Sequence, residues 1–188
     1  DVYKRQVCVL AVPVSELPAP RSHAERLTVE PLGEGRSRIF AKGIGGHASL
    51  PQGTVNAIAL IVDYLQEISA ERPDLLSEGE RTYLNLLSIV HEGTAGEGLG
   101  IEAESAAFGP LTCNAGTIKV SDGRISQTID VRYPDSITCD EMSMICRAHA
   151  ARYGAEFVLD SIKEDELLHL AVHLAFVCSL RAGETAGI

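Results

Sequence analysis

The apolar and polar residues first alternate and then follow a helical period. Residues 26–41 predict a hairpin with its turn at Gly33-Glu34-Gly35, because an extended run on each side flanks a glycine-bounded turn. Pro51 then breaks the chain, and apolar residues at helical spacing predict an amphipathic helix over about 54–70. Pro73 ends this helix. The first part of the chain therefore has the plan hairpin, proline, helix.

A helical insert follows this first unit. Ser77-Glu-Gly-Glu80 is a capping-box pattern. In this motif the side chain of each end residue accepts a hydrogen bond from the backbone N–H of the other. The pattern predicts a helix over about 78–91. Residues 92–110 are rich in glycine and acidic residues, which predicts a long loop with one short helical turn at 101–107.

The same plan then returns. Strands are predicted from Leu111 to Val120 and from Arg124 to Tyr133, because Asp-Gly between alternating runs is a strong hairpin signal. Pro134 closes this hairpin, and Thr138-Cys-Asp-Glu141 is a second capping box. It predicts a helix to about residue 153, with Gly154 as its C-cap and a last strand over 155–160. Two such units form an antiparallel sheet with helices on one face, which is an α+β fold.

Composition restricts the classes of function. The 188 residues carry a formal net charge of −10 and their Lys and Arg residues are scattered, which argues against a nucleic-acid partner. No apolar run approaches the roughly 20 residues that span a bilayer, so no membrane partner is expected. The five cysteines form no C-x-x-C pair, and this odd count suits reduced thiols in a cytoplasm better than a disulfide framework.

Candidate chemistry is sparse on residue type and spacing alone. His169 and His173 are spaced for one helical face, but no Glu lies between them to act as a base, so helix histidines without metal are preferred. Ser49 follows His47 closely, but Gly-His-Ala-Ser is not a nucleophile elbow. By residue type alone, His47 is a solvent-exposed loop histidine and Arg132 a surface cation at a strand end.

Residues 43–58 have the most specific pattern, Gly-Ile-Gly-Gly-His-Ala-Ser-Leu-Pro-Gln-Gly-Thr-Val-Asn-Ala-Ile. This stretch resembles the lid-domain signature of the co-catalytic zinc metallopeptidases, the superfamily of carnosinase, aminoacylase and succinyl-diaminopimelate desuccinylase. Within it, the chain looks most similar to the bacterial Xaa-His dipeptidase (dipeptidase V) branch. The resemblance extends from about Ala24 to Asp160, and more weakly to the C-terminus.

The resemblance implies a fold and a division of the chain. The family's lid is a ferredoxin-like α+β domain, doubled in the dipeptidase V branch, which matches the repeated plan. We expect residues 1–23 to be an irregular approach, with first residues that are artefactual, and 24–160 to be the lid. Residues 161–188 would begin the return to a catalytic domain. In the family that domain binds two zinc ions, and its zinc motifs are missing from this sequence, so no metal ligand is predicted here.

The resemblance also implies site residues. His47 matches the lid histidine that stabilises the oxyanion at the scissile carbonyl, and Arg132, in Asp-Val-Arg-Tyr-Pro, matches an arginine that binds the substrate's terminal carboxylate. Asn114 is a further polar contact, and Gly46 is counted with the substrate-binding positions. Asn56 is interpreted as the residue that caps the helix. An Asn-x-x-Pro contact of the family is absent, because Leu10-Ala-Val-Pro13 has no such Asn.

The sequence is therefore interpreted as the lid portion of a zinc-dependent dipeptidase, inactive alone, whose partners are a small peptide substrate and its own catalytic domain. Two alternatives stay open. One is an aminoacylase or desuccinylase on the same scaffold. The other is a non-catalytic ferredoxin-like module for ligand binding or dimerisation.

Overall fold

The structure is a computed structural model that describes residues 4–46, 53–163 and 171–179. Within those ranges it contains three α-helices, nine strands and three short 3-10 turns. The helices are α1 (Ala57–Glu71), α2 (Glu78–Val90) and α3 (Cys139–Arg152). The strands are β1 (Arg5–Leu10), β2 (Leu27–Gly33), β3 (Arg36–Lys42), β4 (Glu104–Ser105), β5 (Gly109–Pro110), β6 (Thr112–Ser121), β7 (Arg124–Arg132), β8 (Glu156–Lys163) and β9 (Ala171–Ser179). The chain divides into two compact units, and among the described residues the boundary falls in α2, between Leu84 and Asn85.

The first unit is built on a three-stranded antiparallel sheet with the order β1-β3-β2. Alternate residues of β3 are fully buried, namely Ser37, Ile39 and Ala41, because side chains on a strand point to opposite faces in turn. Helix α1 packs against β1 and β3. Its apolar face, which includes Ile58, Ile61 and Ile68, is buried, so this sheet face and the helix form the core of the unit.

Helix α1 begins where the sequence provides a cap. The Asn56 side chain accepts a hydrogen bond from the N–H of Ile58 at 2.9 Å, which satisfies one of the free donors of the first turn. The helix also holds the segment before β2. Tyr64 donates to the Pro18 carbonyl at 2.6 Å, and the Glu67 carboxylate accepts from the N–H groups of Arg21 and Ser22 at 2.9 and 2.8 Å.

The second unit is built on a four-stranded antiparallel sheet with the order β6-β7-β9-β8. Helix α3 packs against β8 and begins with a complete capping box, in which Thr138 and Glu141 each bind the other's backbone N–H. After α3 the chain reverses at Gly154, whose φ of +65° is easily adopted by glycine.

Most of the predicted elements are confirmed. Both hairpins form, both capping boxes form, and the fold is α+β with antiparallel sheets, compatible with a ferredoxin-like dimerisation domain. The first helix starts at Ala57 rather than Thr54, because Asn56 is the cap. The predicted helical turn at 101–107 is wrong. Residues 104–110 form the small hairpin of β4 and β5, whose turn is held by a bond from the N–H of Phe108 to Ser105 Oγ.

Two strands lie where the sequence pattern predicted none. β1 lies in the stretch expected to be irregular and pairs with β3 in a continuous register from Arg5↔Lys42 to Leu10↔Ser37. β9 lies between β7 and β8, within the predicted return segment. The helical interpretation of the histidine pair is therefore wrong at His173, which is a β9 residue, while His169 lies outside the described residues. No helix in the described ranges is long and apolar enough to cross a membrane.

Candidate functional site

Asn114 and Arg132, the two predicted substrate contacts on β6 and β7, lie on the same face of the second sheet. Asn114 is in register with Asp130, and Thr112 is in register with Arg132. Directly opposed residues in an antiparallel pair share a face, and residues two apart on a strand do too. Four polar side chains therefore form one group, which we call the polar cluster: Thr112, Asn114, Asp130 and Arg132.

The buried residues of β6 and β7 determine the face of the sheet on which the polar cluster lies. The residues between its members are buried on the opposite face, where Cys113 opposes Val131 and Ala115 opposes Ile129. The Cys146 thiol of α3 lies close enough to Cys113 to contribute to its raised pKa, behind the larger effect of burial. A one-residue slip of β7 would exchange the two faces, so the apolar alternation specifies the position of the polar cluster.

Three polar atoms of the cluster are buried without a partner. They are Thr112 Oγ1, Asp130 Oδ1 and Arg132 Nε, and none of them has a hydrogen bond within the part of the chain that the structure describes. The residues that carry them are half-buried, but the three atoms themselves have almost no solvent-accessible surface. Most buried polar groups in proteins are paired, so three unpaired ones on one sheet face are unusual.

Arg124, at the other end of β7, shows what an ordinary surface arginine does in this sheet. It lies on the same face as Arg132, eight residues away, but its side chain is exposed and forms an ion pair with Glu156 at 3.0 Å. Arg132 forms no ion pair with any described residue, and Tyr133 and Pro134 beside it are buried. Arg132 therefore differs from an ordinary surface arginine such as Arg124, because it is half-buried and has no ion pair with a described residue.

The predicted lid histidine, His47, lies outside the described residues, and Gly46 is the last described residue before it. Gly46 is exposed and lies in the first unit. Ile44 and Val55 exchange backbone hydrogen bonds of 2.8 and 2.9 Å just before the start of α1. The Asn56 cap of α1 is confirmed.

Metal-binding and nucleophilic side chains do not converge in the described ranges. No group of three or more His, Cys, Asp or Glu residues there could hold a metal ion. Burial raises the pKa of the Cys8, Cys113 and Cys146 thiols to about 12, so these cysteines stay protonated at neutral pH and are poor nucleophiles.

Two members of the cluster, Thr112 and Asp130, were not predicted from the sequence. Asp130 could have been found from the sequence, because it alternates with Arg132 on one strand. Thr112 could not, because a regular ladder continued from Ser121↔Arg124 would place Thr112 opposite Tyr133, on the other face from Arg132. The bulge between Ala115 and Ile118 is what a sequence reading does not supply, because it changes which residues oppose each other.

Comparison with known protein families identifies the class of protein. The model of the M20 peptidase dimerisation domain matches residues 32–155, which is more than half of the chain and includes Gly46, Asn114 and Arg132. The chain therefore belongs to the peptidase dimerisation domain family. This match supports the resemblance to the metallopeptidase superfamily, and it does so for the lid or dimerisation module of that superfamily. No curated protein gives a significant match to the chain.

Proposed function

We propose that this chain is the lid of a zinc-dependent dipeptidase and that its polar cluster binds the terminal carboxylate of the substrate. One observation carries the proposal. Arg132, which the resemblance assigns to substrate, and Asn114, predicted as a further polar contact, lie together on one sheet face, and Arg132 Nε is buried without a partner among the described residues. The family match supports a peptidase module, and the dipeptide substrate is our extension of it.

Arginine suits this role for a physical reason. Its planar guanidinium can donate two parallel hydrogen bonds to the two oxygens of a carboxylate, which fixes both position and orientation. In a half-buried site these bonds are screened less by water than on an exposed surface. Asn114 is buried to 9% exposure in the neighbouring strand and contributes an amide that can donate to or accept from the same ligand.

His47 is proposed as the second contribution of the lid, on the strength of the resemblance. An imidazole N–H directed at the scissile carbonyl would stabilise the oxyanion that forms when water attacks. A preorganised donor of this kind lowers a barrier by ~3–4 kcal/mol. Gly46 precedes His47 and would allow the substrate to approach the backbone closely.

The described residues do not fit a zinc site, so we assign the two zinc ions of the family to a catalytic domain outside this sequence. When bound there, zinc would activate the attacking water. The lid would contribute binding and orientation, and we expect this chain alone to be inactive. We place the protein in the cytoplasm, because Cys8, Cys113, Cys139 and Cys146 are free thiols.

Two other functions remain open to test. The same lid would serve an aminoacylase or desuccinylase, because their substrates also end in a carboxylate. The family description favours a module that self-associates, with or without catalysis.

Expression of the complete reading frame that encodes this chain tests the proposal. The purified protein is assayed on a dipeptide, an N-acetyl amino acid and an N-succinyl amino acid, before and after removal of zinc with a chelator. We expect zinc-dependent hydrolysis of the dipeptide. Hydrolysis of the N-acyl substrates alone would replace the dipeptidase with the amidohydrolase alternative. No hydrolysis, together with a stable dimer, would replace both with the non-catalytic module.

A further inference from the structure

The first sheet has one face that helix α1 does not cover, and we call it the outer face. Helix α1 packs on the face that carries Ile39 and Ala41, so the residues that alternate with these two lie on the outer face. The strand register sets the outer residues in rows: Arg5 lies opposite Lys42, Val7 and Thr28 lie opposite Phe40, and Val9 and Glu30 lie opposite Arg38.

The first of these rows is basic. Arg26, which directly precedes β2, has its Nη1 3.5 Å from the Lys42 carbonyl, so we call Arg5, Lys42 and Arg26 the basic row. Like charges directly opposite each other in a ladder are destabilising, yet neither Arg5 nor Lys42 has an ion pair with a described residue. Arg26 is paired with Glu25 at 3.5 Å. The basic row therefore carries unbalanced positive charge, on a chain whose formal net charge is −10.

The cations at the other end of the outer face are neutralised. Arg38 forms an ion pair with Glu30 at 3.1 Å, and Arg36 forms one with Glu34 at 2.8 Å. The unbalanced positive charge of the outer face is therefore concentrated in the basic row.

The row next to the basic row is apolar at its centre. Val7 is 41% exposed, and Phe40, in register with it, is half-buried. These two residues line a groove of about 380 Å³ together with Thr28, Glu30 and Arg38. Residues two apart on a strand are separated by about 7 Å, so the groove lies one such step from the basic row. Exposed apolar surface that is rimmed by polar residues is typical of interaction sites.

We infer that the outer face binds an extended acidic peptide segment of a partner protein, in which apolar and acidic residues alternate on one side. The apolar residue fills the groove beside Val7 and Phe40, and the acidic residue two positions away meets the basic row. In an extended peptide these two residues are also about 7 Å apart and on the same side, so their spacing matches that of the rows. The inference does not depend on the carboxylate site, which lies in the second unit.

Charge favours a peptide over two other anionic partners. A nucleic acid and an anionic membrane both present extended negative charge, which a chain with a net charge of −10 repels. A short peptide segment meets only the outer face, where the charges of the basic row are complementary to it.

Three short peptides test the inference, with binding to the 188-residue chain followed by NMR titration at low salt. The peptide Gly-Glu-Thr-Val-Thr-Glu-Gly has both features. Gly-Gln-Thr-Val-Thr-Gln-Gly lacks the charge, and Gly-Glu-Thr-Thr-Thr-Glu-Gly lacks the apolar residue. We expect the first peptide to bind about 5-fold more tightly than either of the others, since exposed ion pairs and one apolar contact each contribute modestly. Its advantage over the Gln peptide should fall at high salt.

The double variant Arg5→Gln with Lys42→Gln should reduce the preference for Glu over Gln to below about 2-fold, because the unpaired cations are removed. Lys119→Gln with Arg124→Gln is the matched control, since it removes two exposed cations from the second unit and changes the net charge equally. Val7→Thr, which keeps a residue suited to a strand, should reduce the preference for the Val peptide and keep the preference for Glu.

A preference for Glu that is lost in the double variant and kept in the control supports the inference. Equal binding of the Glu and Gln peptides to wild type would overturn it, and so would a preference that survives in the double variant or falls equally in the control. Binding of vesicles that contain an anionic lipid, without binding of any peptide, would overturn it in favour of a membrane surface.

Discussion

The imidazole Nε2 of His91 lies 3.1 Å from Oε1 of Gln127, inside the second unit. Gln127 is completely buried, and its amide nitrogen donates to the carbonyls of Thr128 and Thr117 at 2.8 and 3.4 Å. The amide oxygen is therefore left to accept, so His91 donates from Nε2 and is neutral. Burial is the main reason that the pKa of His91 is lowered to about 4, against a partial opposing effect of the bond to Gln127.

This pair predicts how stability depends on pH. The unfolded chain binds a proton at His91 below about pH 6.5, whereas the folded chain binds it only near pH 4. The stabilising contribution is therefore complete above pH 6.5, and it is lost as pH falls from 6.5 towards 4, to a total of about 3 kcal/mol. Denaturant unfolding at several pH values measures this loss.

His91→Gln should flatten this part of the pH profile, because the group that titrates is removed. The matched control is His23→Asn, since the His23 side chain is 46% exposed and Asn tolerates its left-handed backbone angle. Equal slopes for wild type and His91→Gln would contradict a buried neutral His91.

The cap of α3 predicts a local loss of stability. Thr138 accepts a bond from the N–H of Glu141 at 3.2 Å, and the Glu141 side chain accepts from the N–H of Thr138 at 2.8 Å. Thr138→Ala should lower the free energy of unfolding by ~1 kcal/mol. Thr82→Ala in α2 is the control, because Thr82 only bonds to a carbonyl of its own helix and should cost less. Equal losses in the two variants would show that the capping box contributes nothing.

The hydrogen bonds that Glu67 accepts should keep the segment before β2 ordered. Its carboxylate holds the N–H groups of Arg21 and Ser22, so Glu67→Ala should increase hydrogen exchange at these two amides. Glu71→Ala is the matched control, since Glu71 bonds only to the side chain of Arg21. Unchanged exchange in Glu67→Ala would mean that the segment is held by other contacts, such as the Tyr64 bond to Pro18.

His47 gives a prediction for the complete enzyme. His47→Ala should lower turnover by about 100-fold or more while the zinc content stays unchanged, because the lost donor acts on the oxyanion and is not a zinc ligand. Turnover is measured at a saturating concentration of dipeptide. The zinc content is measured by elemental analysis. Unaltered turnover would end the assignment of His47, and loss of zinc would make it a ligand.

The sequence predicted the elements that have local signals. Both hairpins have glycine turns, and Ser77 and Thr138 begin capping boxes that form as predicted. β1 was missed because Val7 to Leu10 is a short continuous apolar run, and periodicity does not identify such a run as a strand. β9 was missed because its position is set by pairing with two distant strands, β7 and β8.

The candidate site was predicted only in part, for a similar reason. Arg132 was predicted from the resemblance and Asn114 as a further polar contact, and the structure adds that they lie on one face. Asp130 was passed over because an Asp in a strand of a half-buried sheet has no distinctive sequence signal. Asp130 is recognised as a member of the polar cluster only from the strand register, which places Asn114 opposite it. The structure also shows that its Oδ1 has no partner among the described residues.

The most direct test of the central claim compares hydrolysis of a dipeptide with hydrolysis of its C-terminal amide by the complete enzyme. Wild type should prefer the free carboxylate by about 100-fold in kcat/KM, and Arg132→Ala should lose most of that preference. Arg124→Ala, which removes an exposed arginine from the same face of the same strand, should keep it. A preference that is unchanged in Arg132→Ala would contradict a carboxylate site at Arg132.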